Sequence, residues 1–206
     1  MRYLVAYGKG ATCTGMPGEK GSMMTDMPRR WHLSAATHAS HDAVDRVVGG
    51  VDTLAGYGDY VLALHRFRAV VETALKGIVL PEGLRGWQPA SVAPALLSDM
   101  GDLDLAPLPP LSGGPLLDAR GETAYGTLYV LEGATLGAQV LLRRAQKLGL
   151  TSQHGARHLA LQAGRVPQWR EFLTRLEAES DFDLGLAATA SSACFALAQN
   201  AFGKTE

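Results

Sequence analysis

The sequence predicts an all-α protein, a single-domain multi-helix bundle. Apolar residues recur at helical spacing along most of the chain from Pro28 onward, and no segment shows the alternation of a β-hairpin. The composition, 47% hydrophobic and 19% charged over 206 residues, is that of a globular chain long enough to bury one core. These observations favour helices packed on helices.

The first predicted helix begins near Pro28, a residue type that suits a first helical turn, and ends before Gly49 and Gly50. One face of this helix is an apolar stripe at i, i+4, i+8, i+11 and i+15, formed by Leu33, Thr37, His41, Val44 and Val48. Because these positions share a face, we expect His41 to point inward.

Five further helices are predicted along the rest of the chain. They cover approximately residues 57–75, 91–100, 122–148, a segment opened by Pro167, and 183–202. A loop rich in proline and glycine, residues 104–121, separates the third helix from the long fourth one. The last helix is rich in alanine and serine, so it can pack closely against its neighbours.

The first 22 residues differ from the rest of the chain. They contain five of the 24 glycines, and no helical or strand period is sustained there. We expect residues 1–22 to be a disordered or mis-annotated leader and residues 23–206 to form the helical domain. The true start is then Met23, Met24 or Met27.

Charge and cysteine content exclude several classes of function. The net charge is −1 and no basic block is present, which argues against a nucleic-acid surface. Cys13 and Cys194 have no metal-type spacing, so neither a disulfide framework nor a zinc–thiolate site is expected, and Cys194 is predicted to be a buried core thiol.

No membrane segment or signal peptide is expected. Residues 125–142 are mostly apolar, but they carry Glu132 at their centre and Gln139 near their end, and a charge at mid-bilayer costs about 2.5 kcal/mol or more. The apolar run at the start is too short for a signal peptide. We therefore expect a cytoplasmic protein without a membrane span.

His41 and Asp45 form the first candidate site. They are four residues apart, so they are neighbours on the helix surface. A carboxylate that accepts the imidazole Nδ1–H fixes the tautomer and leaves Nε2 free to bind a metal. From spacing alone, a core histidine tied to a local acid, without any ligand, is the alternative.

Gly133 and Gly137 form the second candidate site, inside the long fourth helix. Each glycine costs a helix about 1 kcal/mol relative to alanine, so something must offset it. A closely packed helix, a kink, or a flat ligand against bare backbone are the three explanations. A flat ligand lying between the histidine helix and the glycine helix accounts for both sites, and haem fits that description.

Two segments resemble the haem oxygenase family. Residues 33–41 match its proximal motif, L-x-x-A-T-x-x-x-H, and residues 128–139 (LYVLEGATLGAQ) are similar to its distal helix, in the form found in bacterial enzymes associated with bacteriophytochromes. The resemblance covers roughly Pro28 to the C-terminus.

The resemblance implies specific roles for residues of both segments. His41 is the implied iron ligand, supported by Asp45, and Gly133 and Gly137 are implied to contact the haem face. The same distal segment supplies Tyr129 as a candidate haem contact and Thr135 as a candidate for proton delivery.

The chain departs from the family pattern at two places. Ala134 stands where many members have an aspartate that organises water near bound oxygen, so proton delivery is expected to rely on ordered water and on Thr135 or backbone groups. Proximal lysines of the mammalian enzymes are replaced by Ser34 and His38. Arg170, with Arg175 as a second candidate, is therefore the expected propionate partner, and a solvated helix face is the alternative.

The function implied by the resemblance is oxidative cleavage of haem to biliverdin, carbon monoxide and iron. Haem is then both cofactor and substrate, O2 is the oxidant, and electrons come from a separate ferredoxin or flavoprotein reductase. A bacteriophytochrome is a candidate receiver of the biliverdin. The alternatives are a haem carrier or sensor that does not degrade haem, a haem-free enzyme such as a thiamin-salvage hydrolase, and a purely structural helical module.

Two other clusters have simpler interpretations. His154 and His158 have a spacing that can bind zinc on a helix, but no third ligand is evident, so a surface pair is expected. Arg143, Arg144 and Lys147 lie at the end of the fourth helix, where they suit the negative end of its dipole; a docking patch for an acidic electron donor is the alternative.

Overall fold

The computed structural model describes residues 27–48, 50–118 and 120–203. Within these ranges the chain forms seven α-helices and no β-strand, so the predicted all-α fold is confirmed. The helices are α1 (Arg29–Val48), α2 (Leu54–Lys76), α3 (Ala93–Asp102), α4 (Gly121–Lys147), α5 (Arg157–Ala163), α6 (Val166–Ala178) and α7 (Leu184–Phe202). A single 3₁₀ turn, Glu82–Leu84, lies between α2 and α3.

Six of these helices were predicted from the sequence, and each boundary that was predicted lies within three residues of the observed one. The seventh helix, α5, was not predicted. The α5 helix has only seven residues and no side chain caps its N-terminus from the preceding position. No helix in the described part of the chain is long and apolar enough to cross a membrane. The predicted leader, and with it the hypothesis about the start residue, lies outside the described residues.

The α7 helix is the support on which the bundle is built, because α1, α2 and α4 all pack against it. Its small residues allow a very close approach to α4. A Cβ atom added at Gly126 of α4 would lie 2.2 Å from the carbonyl oxygen of Ala187. The Ser191 hydroxyl then donates to the Gly126 carbonyl oxygen at 2.8 Å, so the two helices are in backbone contact.

The start of α1 is fixed by the end of α6. The Glu177 carboxylate accepts hydrogen bonds from the backbone N–H groups of Arg29 (2.8 Å) and Arg30 (3.1 Å), which otherwise have no partner within a helix. The Arg29 guanidinium donates in return to the carbonyl oxygen of Leu176 at 2.7 Å, in the last turn of α6. Opposite charges therefore lie at the helix ends that favour them.

Replacing Gly126 by valine is expected to destabilise the protein by at least about 2 kcal/mol, because the added side chain must push α4 away from α7. Chemical denaturation followed by circular dichroism measures this. Gly101 near the end of α3 is the matched control, since nothing lies within 4 Å of its Cβ position. Gly101→Ala should leave the free energy of unfolding unchanged or raise it slightly; equal losses in both variants would contradict the close packing.

Candidate functional site

His41 lies on the buried face of α1, as the apolar stripe predicts. Only 5% of the residue is exposed, and its Nε2 atom is buried. Nδ1 lies 3.6 Å from an Asp45 carboxylate oxygen and 4.0 Å from one of Asp42. These are ion-pair distances, longer than a hydrogen bond. The imidazole therefore presents Nδ1 to two carboxylates.

Tyr129, Gly133 and Gly137 lie along one face of α4, and Tyr129 on this face reaches the start of α1. These residues are four apart and buried, so they share one helix face. The Tyr129 hydroxyl donates to the carbonyl oxygen of Arg30 at 3.3 Å, which is where α1 and α4 meet. Elsewhere each of the two helices packs along α7 and makes little contact with the other.

Phe195 of α7 connects the two candidate segments. Its ring meets the His41 ring edge-on, with centroids 6.0 Å apart. Phe195 also borders a small cavity of about 20 Å³ next to Ala134 of α4. The other residues that line this cavity are Leu64, Phe67, Arg68, Val130, Leu131, Gln162, Ala198 and Phe202. Thr135, one residue further along α4, is 2% exposed.

The Glu132 side chain, just before Gly133, is buried and paired. Its carboxylate accepts the backbone N–H of Ala90 at 3.1 Å and a hydrogen bond from Arg165 Nε at 3.3 Å. Arg165 also donates to the Gln88 carbonyl oxygen at 2.8 Å. A buried charge needs such partners, and these fix the centre of α4 to the loop before α3 and to the start of α6.

Arg68 and Glu72 of α2 form a second buried ion pair, which the sequence analysis missed although their i, i+4 spacing is the signal for it. Arg68 Nε donates to Glu72 at 2.8 Å, and its terminal nitrogen donates to the Ala90 carbonyl oxygen at 2.7 Å. Glu72 also accepts the backbone N–H groups of Val92 and Ala93, which begin α3. The pair therefore positions Arg68 at the cavity wall.

The two predicted propionate partners lie on α6 in different settings. Arg170 is exposed, whereas the Arg175 guanidinium donates to Glu171 at 2.7 Å and to the carbonyl oxygens of Gly83 and Arg85. It also lies over the Trp87 ring, 5.5 Å from its centroid. Arg175 thus packs α6 against the 3₁₀ turn, and the propionate role of either arginine stays a prediction.

The expected surface pair of His154 and His158 is wrong for His158. The His154 side chain is exposed and lies 3.5 Å from Asp102, but His158 on α5 is fully buried. The unpredicted helix α5 carries His158 into the core, where its Nδ1 lies 2.7 Å from Asp99. Among the described residues no group of three or more His, Cys, Asp or Glu side chains could hold a metal ion.

Asp99 joins the end of α3 to the start of α5. Its carboxylate accepts the backbone N–H groups of Arg157 (2.9 Å) and His158 (3.0 Å). Burial by itself raises the pKa of Asp99, but hydrogen bonds from the His158 imidazole and these N–H groups lower the pKa below its usual value. Burial lowers the pKa of His158, with Asp99 opposing in part, so the pair rests as a neutral imidazole and a carboxylate.

The free energy of unfolding is expected to fall as the pH drops below 6.5, by up to about 1.4 kcal/mol per pH unit. The folded His158 has a lowered pKa, so the unfolded chain binds more protons in this window and acid favours unfolding. Denaturation at pH 7.5, 6.5 and 5.5 measures it. His158→Gln should flatten this dependence, whereas replacing the exposed His154 by glutamine should not; equal slopes in all three proteins would refute the assignment.

Three further residues singled out in the sequence, Cys194, Arg144 and His38, lie where the sequence analysis expects them. Cys194 is fully buried, and burial raises the pKa of its thiol to about 12, which confirms the core thiol. Arg144, near the end of α4, lies 3.3 Å from Asp52. The exposed His38 lies 3.5 Å from Asp42 and does not share the inward face with His41.

Comparisons with known proteins find two haem oxygenases that are similar to this chain. No protein-family profile matches the chain. The haem oxygenase PigA of Pseudomonas aeruginosa is 28% identical over 156 residues, which is 72% of this chain and 77% of that protein.

A solved structure of the same kind of enzyme matches the fold. The NO- and CO-bound haem oxygenase from Neisseria meningitidis superposes with a TM-score of 0.68 at 27% identity, over 87% of this chain and 94% of that one. A curated relative and a solved structure, both haem oxygenases, are therefore similar to this chain in sequence and in fold.

Proposed function

We propose that the protein is a haem oxygenase that binds haem through His41 and cleaves it with O2 to biliverdin, carbon monoxide and iron. The observation that supports this best is a buried imidazole on one helix together with two buried glycines on another. His41 lies on α1, and Gly133 and Gly137 lie on the face of α4 whose Tyr129 contacts the start of α1. The two similar proteins are both named as haem oxygenases.

The donor on α1 suits a haem iron. A neutral imidazole is a common axial ligand, and carboxylates beside Nδ1 favour the tautomer that keeps the proton there. Asp45, with a 10% exposed side chain, is the better placed of the two carboxylates. Nε2 then carries the lone pair that binds iron.

The glycines on α4 suit the opposite face of a flat ligand. At Gly133 and Gly137 no Cβ stands between a ligand and the main chain, and Tyr129 on the same face holds α4 to the start of α1. A helix interior with two glycines is costly, and contact between bare backbone and a ligand offsets that cost. Bare main chain at these two positions would hold a flat ligand in one orientation, and orientation is the main catalytic contribution that these residues would make.

Bound haem supplies the iron that takes up oxygen and also the ring that is cleaved. Ala134 brings no acid to this side, and its neighbours at the cavity are mainly apolar. Ordered water is the expected proton source, with the buried Thr135 hydroxyl as a candidate on α4. Electrons come from a ferredoxin or flavoprotein reductase.

Arg170 is the better candidate for a haem propionate. It is exposed on α6, whereas Arg175 is engaged with Glu171 and with the backbone near the 3₁₀ turn. A cytoplasmic location and transfer of biliverdin to a bacteriophytochrome complete the proposal.

His41→Ala is expected to remove the iron ligand and, with it, biliverdin formation. Haem titration followed by absorption spectroscopy should show loss of the histidine-ligated spectrum, with a return towards it when free imidazole is added.

His38→Ala is the matched control, because this histidine lies on the same helix but is exposed. It should keep the wild-type spectrum and turnover. Full biliverdin formation by His41→Ala without imidazole would contradict the assignment.

Gly137→Leu is expected to reduce binding of O2 and CO to ferrous haem by at least tenfold, because the new side chain fills the distal side. The iron–histidine bond should persist, which resonance Raman spectroscopy measures. Gly137→Ala should give a smaller loss, and Gln139→Leu, an exposed change on the same helix, should give none. Unchanged gas binding in Gly137→Leu would place the oxygen side elsewhere.

A haem carrier or sensor that does not degrade haem is the second candidate function. The observation in its favour is Ala134, which places no acidic side chain at its own position in the cavity wall. Supplying haem, O2 and a reductant, and measuring the bilin absorption band, decides between the two.

A further inference from the structure

A continuous series of aromatic side chains begins at Tyr129, on the helix face where the proposed haem contacts lie. The Tyr129 ring packs against Trp169 of α6, with centroids 5.6 Å apart. Trp169 stacks on Phe172 at 5.9 Å, and Phe172 meets the Tyr125 ring at 5.9 Å. None of these four residues is more than 5% exposed. We call Tyr129, Trp169, Phe172 and Tyr125 the aromatic route.

The hydroxyl at the far end of this route has a base as its partner. Ring contacts of this kind occur in many protein cores, but the Tyr125 hydroxyl also donates to the carboxylate of Glu179, the residue that follows α6. By contrast, the Tyr129 and Tyr57 hydroxyls each donate to a backbone carbonyl oxygen. A phenol that loses an electron also releases its proton, and a carboxylate takes up that proton far more readily than a carbonyl oxygen does.

The charges that act on Tyr125 come from α1 and from the end of α6. Burial first, and then the hydrogen bond to Glu179, raise the pKa of Tyr125, and Arg175 and Arg29 oppose part of this rise. The phenol therefore keeps its proton near neutral pH. Loss of an electron alone would leave a positive charge in the core, which is costly, so Tyr125 must lose electron and proton together.

A second indole near the route is a poorer electron donor. Trp87 also meets the Phe172 ring, with centroids 5.8 Å apart. The Arg175 guanidinium lies over the Trp87 ring, 5.5 Å from its centroid, and a cation in that position opposes a second positive charge on the indole. The charges thus favour Tyr125 over Trp87 as the group that is finally oxidised.

The Tyr125 end of the route lies close to solvent. Glu179 is partly exposed, and so is Phe182, whose ring meets the Tyr125 ring edge-on with centroids 5.4 Å apart. A proton held by Glu179 can therefore exchange with water. A soluble reductant at this surface is separated from Tyr125 by a single layer of side chains.

We propose that the aromatic route carries oxidising equivalents away from the haem site, and that Tyr125 with Glu179 is its redox-active end. This rests on the proposed function, which supplies the haem. Trp169, once oxidised to its radical cation, takes an electron from Tyr125, and the phenol proton passes to the Glu179 carboxylate. The products are a neutral indole, a neutral tyrosyl radical and a protonated Glu179.

The oxidant in this proposal is hydrogen peroxide that reacts at bound haem. One peroxide takes up two electrons and two protons and gives two water molecules. Two passages along the route supply the electrons, and solvent supplies the protons. After each passage a soluble one-electron reductant, such as a thiolate, restores Tyr125, which regains its proton from Glu179. The route thereby removes peroxide that would otherwise damage the haem or the chain.

The first test uses the full chain without haem. A ruthenium polypyridyl photo-oxidant is attached to the variant Gln168→Cys, an exposed position beside Trp169. Cys13→Ser is added so that the photo-oxidant does not label this residue; Cys194 is fully buried. A laser flash in the presence of a soluble electron acceptor should oxidise Trp169. Transient absorption and electron paramagnetic resonance should then show a tyrosyl radical.

Three variants assign this radical. Tyr125→Phe should abolish the tyrosyl signal and lengthen the life of the tryptophan radical at least tenfold. Glu179→Gln, whose amide oxygen accepts the hydrogen bond but is a far weaker base, should slow tyrosyl formation at least threefold. Tyr57→Phe removes a buried tyrosine outside the route and should change neither. A tyrosyl signal that persists in Tyr125→Phe, or unchanged kinetics in Glu179→Gln, overturns the proposal.

The second test adds hydrogen peroxide to the haem-loaded protein and freezes the mixture for electron paramagnetic resonance. The wild type should show the same tyrosyl radical, and Tyr125→Phe should lack it. Bleaching of the haem by peroxide should be at least twofold faster in Tyr125→Phe than in the wild type or in Tyr57→Phe. Equal bleaching rates in all three proteins would contradict a protective route.

These outcomes separate the two proposals. If the wild-type protein binds no haem through His41, the proposed function fails together with the haem end of the route, while the flash experiment still decides whether Tyr125 and Glu179 form a redox-active pair. If haem is bound and cleaved but Tyr125 forms no radical in either test, the further inference alone fails. If Tyr125→Phe does not fold, the kinetics of Glu179→Gln decide.

Discussion

The arrangement of the candidate site depends on the packing of two helices against a third. The α4 helix lies in backbone contact with α7 at Gly126, and α1 packs along the same helix. Because both helices rest on α7, the distance between His41 and the glycines of α4 is set by a rigid support and not by direct contact between them. The alanine and serine content of α7 makes this possible, since small side chains let backbones approach.

Buried carboxylates hold the other helices in place around α7. Glu132 joins the centre of α4 to the loop before α3 and to Arg165, and Glu72 joins α2 to the start of α3. Asp99 joins α3 to the start of α5 by accepting the backbone N–H groups of Arg157 and His158. Removing one partner of such a pair typically costs 3–5 kcal/mol, so these residues are expected to hold the walls of the cavity beside Ala134 in one arrangement.

Much of the fold was predictable from the sequence because six of its helices are at least ten residues long and show their period over several turns. The burial of His41 was predictable because it lies on the apolar stripe of α1. The burial of the helix around Glu132 was predictable because residues 125–142 are mostly apolar. The α5 helix could not be predicted in this way, because seven residues give too few turns to show a period.

The contacts of the site were less predictable than its residues. His158 is buried because α5 meets Asp99, a residue 59 positions away, and no local pattern reveals that partner. Arg175 likewise binds carbonyl groups some 90 residues away, on the 3₁₀ turn. The i, i+4 pairs of Arg68 with Glu72 and of His41 with Asp45 were visible in the sequence, since helix geometry alone places them together.

The crystal structure of the protein with bound haem tests the central claim most directly. We predict that His41 Nε2 binds the iron on one face, and that the main chain at Gly133 and Gly137 contacts the other. Iron bound by a different residue, or haem located away from the space between α1 and α4, would contradict the account.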